Sequence, residues 1–169
     1  MHAELIVLRL IHIVGGVFWV GSALFTSFFL MPTLMQAGPS AAGPVMGGLQ
    51  QRKLMVWLPV VAILVMLSGL RLMMIASGGD SHWFVHRQGH TYSIAGALAI
   101  IAFIVGMTVN RPAMVKAGKL GQSAVSDSPT RAAIQDEIRR LQRRSYIGTM
   151  VVTWLLLASA AGMAIARYL

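Results

Sequence analysis

Four stretches of this chain stay apolar for long enough to cross a bilayer, which takes about 20 residues. They cover residues 5–31, closed by Pro32; 54–76, with Pro59 in the first turns; 82–110, closed by Pro112; and 146–168. None alternates apolar and polar positions as a barrel strand does. A backbone in hydrocarbon must satisfy its own hydrogen bonds, so the four stretches are predicted to be helices. The pattern predicts an all-α integral membrane protein, one four-helix transmembrane domain over residues 1–169, with no internal repeat.

The polar connections differ in kind. Gln36-Ala37-Gly38-Pro39-Ser40-Ala41-Ala42-Gly43-Pro44 reads as a small, flexible link. Ser128-Pro129 reads as the cap and first turn of a helix. Ile134, Ile138 and Leu141 then form an apolar stripe among charges. This helix is expected to run unbroken into the fourth span as a cytoplasmic amphipathic extension.

Composition supports the membrane reading. Hydrophobic residues make up 56% of the chain and charged residues 11%, where a soluble domain carries about 25% charged residues. With no cysteine there is no disulfide framework, thiolate ligand or cysteine nucleophile. The net charge of +9 does not imply nucleic-acid binding, because the basic residues flank the spans. Ten of them (Arg52, Lys53, Arg111, Lys116, Lys119, Arg131, Arg139, Arg140, Arg143 and Arg144) fall in the connections 32–53 and 111–145. That asymmetry places these connections in the cytoplasm and both termini outside a bacterial-type inner membrane. With Glu4, one early arginine and a long apolar run, the N-terminus reads as an uncleaved span.

All five histidines fall on the outer side of this topology. His82, His86 and His90 stand at i, i+4 and i+8, one stripe if their stretch is helical, with Asp80 or Ser81 as its cap. His2 and His12 belong to the first span. At 1.5 Å per residue, His12 and His90 each lie roughly 12 Å down their helices. Two imidazoles facing across a bundle hold a haem iron. Two on one helix cannot take opposite axial positions, so the expected ligands are His12 with His90, or with the shallower His86. Gly15, Gly16 and Ser93, three or four residues after a histidine, leave room for a ring that Phe18, Trp19 and Phe25 would wall. Arg9, Arg71 and Arg87 are placed to pair with haem propionates. The expectation is haem b with bis-histidine ligation, serving electron transfer or redox chemistry with a lipid-soluble partner such as a quinol, or with another redox protein.

Alternatives stand beside it. His2, His82 and His86 are candidates for a second site, for another haem or for copper. The glycines also suit helix packing alone, and one intramembrane histidine can be a helix-to-helix hydrogen bond, which makes a cofactor-free structural subunit a third reading. Homo-oligomer formation is open.

Leu10-Ile11-His12-Ile13-Val14-Gly15-Gly16-Val17-Phe18-Trp19-Val20-Gly21 resembles the first-helix motif of a superfamily of small membrane proteins that includes copper-resistance D-like proteins and J-type protoporphyrinogen oxidases. Leu67-Ser68-Gly69-Leu70 and Met163-Ala164-Ile165-Ala166-Arg167-Tyr168 are similar to members of it. The resemblance covers the four-span core. It implies haem b at His12, or copper transport. The J-type oxidases also use a lysine in a later span; this chain has none, so the resemblance does not carry that oxidation.

Overall fold

The computed structural model describes residues 2–123 and 130–169. Seven α-helices are described: α1 (His2–Phe25), α2 (Met31–Ala37), α3 (Pro39–Gln51), α4 (Leu54–Ser77), α5 (Arg87–Val105), α6 (Arg111–Ser123) and α7 (Thr130–Ala166). Four helical stretches are long and apolar enough to cross a membrane: His2–Ala37, Leu54–Ser77, Arg87–Leu120 and Ala133–Ala166. The link expected to be flexible is instead α3, set off from α2 by Gly38 at φ 80° and from α4 by Lys53 in the left-handed region. The fourth span extends as expected, in one 37-residue helix. The predicted opening of that helix at Ser128-Pro129 lies outside the described residues.

Two helices do not end where the prolines suggested. α1 passes through a π-helical turn, Thr26–Leu30, into α2, and Pro32 lies just beyond that turn. The third helix repeats the device: a π-helical turn at Gly106–Asn110 precedes Arg111-Pro112 and leads into α6. A proline lacks the backbone donor and its ring presses on the carbonyl four residues back. A wider π turn absorbs that mismatch, so the helix continues past the proline.

The third helix also starts later than expected. Asp80 accepts the His82 backbone N–H at 2.8 Å and caps a single 3-10 turn, Ser81–Val85. His86 then adopts an extended conformation (φ −69°, ψ 152°) and α5 begins at Arg87. The stripe of three histidines is therefore broken at His86.

The four long helices form a ring. α1 packs on α4 and α5 packs on α7, while contacts of α4 with α5 and of α1 with α7 close it, leaving α1 and α5 on one diagonal. The core holds Trp19, Val65, Val152 and Leu156 among small residues, Ala62, Ala99 and Ala102. Small residues let helix backbones approach where no solvent drives association. Several polar groups are paired across the helices. Ser27 and Thr153, both fully buried, bond through their hydroxyls at 2.6 Å, and Ser159 donates to the Ala95 carbonyl at 2.7 Å. At the basic end α6 and α7 pair, with Lys116 bonded to Glu137 at 2.8 Å.

Ala95 is 1% exposed and faces Gly162, whereas Ala97 is exposed on the far side of the same helix. Ala95→Leu should cost about 1–3 kcal/mol by overpacking, and Ala97→Leu close to nothing, as read by thermal unfolding in detergent. Equal losses would refute this helix orientation.

Candidate metal centre at His12

His12 sits inside the α1–α4 seam. Its Nδ1 lies 2.8 Å from the Val65 carbonyl oxygen. A carbonyl can only accept, so Nδ1 carries the proton and donates. The Ser68 hydroxyl, 3.5 Å from Nδ1, spends its own proton on the Leu64 and Val65 carbonyls at 2.7 and 3.0 Å. The ring lies over Gly69, where an added Cβ would meet His12 Cε1 at 2.6 Å. A main-chain carbonyl on one ring nitrogen is the usual way of fixing an imidazole tautomer so that the other nitrogen can act as a ligand.

That other nitrogen meets a thioether. Nε2 lies 3.4 Å from Met163 Sδ on α7. With the proton on Nδ1, Nε2 presents a lone pair, and the sulfur presents another. Two electron-pair donors then face each other with nothing donating between them. The opposite tautomer would set the Nδ1 lone pair against Val65 O at 2.8 Å, a closer and worse clash of acceptors. The gap suits a proton, held by an imidazolium, or a soft cation.

The other predicted ligands are not brought to this place. His90 is exposed on α5, on the face that carries Ile94, Ala97, Ile101 and Ile104, opposite the buried face of Ala95, Ala99 and Ala102. The equal depth expected of His12 and His90 assumed a helix start near residue 82, whereas α5 starts at Arg87; rotation about the helix axis also turns the His90 side chain away from the bundle. His2, His82 and His86 are exposed, and among the described residues no three histidine or carboxylate side chains come together as a metal cluster.

The residues expected to shape a haem pocket have other roles. Gly15 is bare because α4 lies against it: an added Cβ would meet Val65 at 2.7 Å. Gly16, in contrast, faces open space. Ser93 bonds back to the Gly89 carbonyl at 2.8 Å. Trp19 is buried in the core, while Phe18 and Phe25 are exposed. Arg71 is held by Glu4 at 2.7 and 2.9 Å, so its guanidinium ties α4 to α1. Arg9 and Arg87 are exposed.

A haem held by His12 and His90 does not fit this arrangement. Nor does His12 with Met163 suit opposite axial positions. With bonds of roughly 2.0 Å to nitrogen and 2.3 Å to sulfur, trans ligands stand roughly 4.3 Å apart, and the observed 3.4 Å is shorter. A single ion at those bond lengths would see the two atoms at an angle of roughly 105°.

Met163, Val65 and Gly69 were missed as partners of His12, although Gly69 and Met163 belong to the two short segments that resemble family members. A methionine in an apolar span reads as packing, and a backbone carbonyl leaves no mark in sequence. The one available signal was Ser68-Gly69, a small polar pair on the neighbouring antiparallel helix.

The fold and this site define a bundle of four membrane-length helices with one internal imidazole–thioether pair. Comparison with models of known protein families, with curated proteins and with solved structures finds no match to this chain.

Gly69→Ala should push the His12 ring off its seat and cost about 1–3 kcal/mol of stability through crowding and the strained Val65 bond. Denaturant unfolding in detergent checks this; unchanged stability would refute the contact.

Proposed function

We propose that the chain is an integral membrane protein that binds a soft monovalent cation, cuprous ion in a cell, between His12 and Met163. The observation that carries this reading is the approach of His12 Nε2 to Met163 Sδ at 3.4 Å, with Nδ1 engaged by the Val65 carbonyl. Imidazole with thioether is a donor set selective for Cu(I) over hard cations. The bent geometry leaves other coordination positions open, so the ion can be handed on by ligand exchange, and the function is capture and transfer. Val65 holds the imidazole in the ligating tautomer. Gly69 fixes its tilt, and α7 brings the sulfur. No redox step is required. The resemblance of the first helix to copper-resistance D-like proteins supports the same reading.

In this reading the basic end, with Arg52, Lys53, Arg111 and the arginines of α7, faces the cytoplasm. His12 then opens toward the outside, beneath the Glu4–Arg71 ion pair two turns above it. His2, His82, His86 and His90 lie at the same end and offer exposed imidazoles for first capture. Reporter fusions at residue 169 should report an external C-terminus, and fusions near residue 120 an internal loop; the reverse would overturn the orientation.

Anaerobic titration of the purified protein with Cu(I), in competition with a chromophoric chelator, tests the site. One ion per chain is expected. His12→Ala and Met163→Leu should each weaken binding at least about tenfold, equivalent to about 1.4 kcal/mol, whereas His90→Ala should leave it unchanged. Wild-type affinity in both site variants, or no binding by the wild type, would sink the proposal. A visible haem band in the isolated protein that vanishes in His12→Ala would replace copper by haem.

A further inference from the structure

At the basic end a groove of about 450 Å³ runs between the third and fourth long helices. Its lining is apolar: Val105 and Val109 on one side, Ile147 and Val151 on the other, with the aliphatic stems of Arg140, Arg143 and Arg144. The three arginines stand at i, i+3 and i+4 on one face of α7 and are exposed. Arg144 to Val151 spans seven residues, or about 10 Å along the helix. Along α7 the positions therefore change from exposed arginines to an aliphatic groove wall within about 10 Å.

The local carboxylates do not neutralise these arginines. Asp136 is paired with Arg139, and Glu137 with Lys116. Arg140 lies near enough to Glu137 to lower its pKa, although the Lys116 hydrogen bond is the larger cause. Among the described residues Arg143 and Arg144 have no carboxylate partner. Guanidinium groups one turn apart repel each other, and a shared anion removes that repulsion. Guanidinium is also the side chain best suited to bidentate contact with phosphate. The groove floor is tight: Gly148 has no side chain where Asn110 Oδ1 presses against it, and that oxygen is buried without a hydrogen-bond partner.

We propose that this groove binds one anionic phospholipid, its phosphate held by Arg143 and Arg144 with Arg140, and an acyl chain laid along Val105, Val109, Ile147 and Val151. The proposal rests on the membrane reading of the four helices and not on the copper site. Charge complementarity selects an anionic headgroup over a zwitterionic one, whose ammonium or choline would meet the arginines. Basic pockets between membrane helices recognise lipids in this way.

Full-length protein in neutral detergent is delipidated, then given phosphatidylglycerol, phosphatidylcholine or inorganic phosphate, and its unfolding temperature and retained lipid are measured. Phosphatidylglycerol should raise the unfolding temperature where phosphatidylcholine and inorganic phosphate do not. Arg143→Gln with Arg144→Gln should cut retained phosphatidylglycerol at least about fivefold (about 1 kcal/mol). Val109→Trp, which blocks the groove and leaves the charge intact, should do the same and serves if the double variant does not fold. Arg52→Gln with Lys53→Gln removes equal charge elsewhere at this end and should keep the lipid. Equal loss in that control would reduce the effect to surface charge, and stabilisation by inorganic phosphate alone would make the site one for a free anion; either overturns the proposal. So does full retention in Val109→Trp. Failure here leaves the His12 titration untouched.

Discussion

A hydroxyl or an imidazole surrounded by hydrocarbon has no water to turn to, and each one left unpaired costs several kcal/mol. That constraint organises the interior of this bundle. Ser27 and Thr153 meet each other, Ser159 reaches the Ala95 carbonyl, and His12 reaches the Val65 carbonyl. Each bond joins two different helices, so satisfying a polar group and fixing a helix pair are the same event. Ser27–Thr153 ties the π turn that follows α1 to α7, His12 ties α1 to α4, and Ser159 ties α7 to α5. Between these ties the packing is done by small residues and a few large ones such as Trp19 and Leu156.

His12 differs from the others in having a second polar atom to satisfy. The hydroxyls can donate and accept within reach of a carbonyl. An imidazole fixed by Nδ1 must find something for Nε2, and the bundle offers a thioether, which is a weak acceptor and no donor. As a structural tie alone, the residue would need only one of its two nitrogens. The approach of an anchored imidazole to a soft sulfur is the contact on which the copper proposal rests, and it is local enough to be tested by two substitutions.

The two proline-linked π turns give the bundle its length. By continuing past Pro32 and Pro112 the first and third helices reach beyond the apolar core, and the third can pair there with the long α7. The basic residues of that pairing sit beside aliphatic walls at Val105 and Val109. The two ends of the molecule thus have different chemistry: the imidazoles at one, most of the guanidinium and ammonium groups at the other.

Hydrophobic run length by itself determined the four helices, because a bilayer-spanning segment leaves an unbroken apolar stretch that no turn chemistry can hide. The unbroken course of the fourth helix was likewise legible, from the apolar stripe at Ile134, Ile138 and Leu141 ahead of the span. What the chain could not display was rotation about each helix axis. The His90 side chain lies on the face opposite Ala95 and Ala99, since the direction of the core is set by which neighbours α5 packs against. Helix ends were misread for a related reason: at Pro32 and Pro112 a π turn absorbs the proline, and at His86 a single extended residue delays the start of α5. The partners of His12 were decided by tertiary structure alone. Val65 contributes a main-chain oxygen common to every residue, and Met163 comes from 151 positions away, so only the packing of α1 between α4 and α7 could bring an imidazole, a carbonyl and a sulfur to one point.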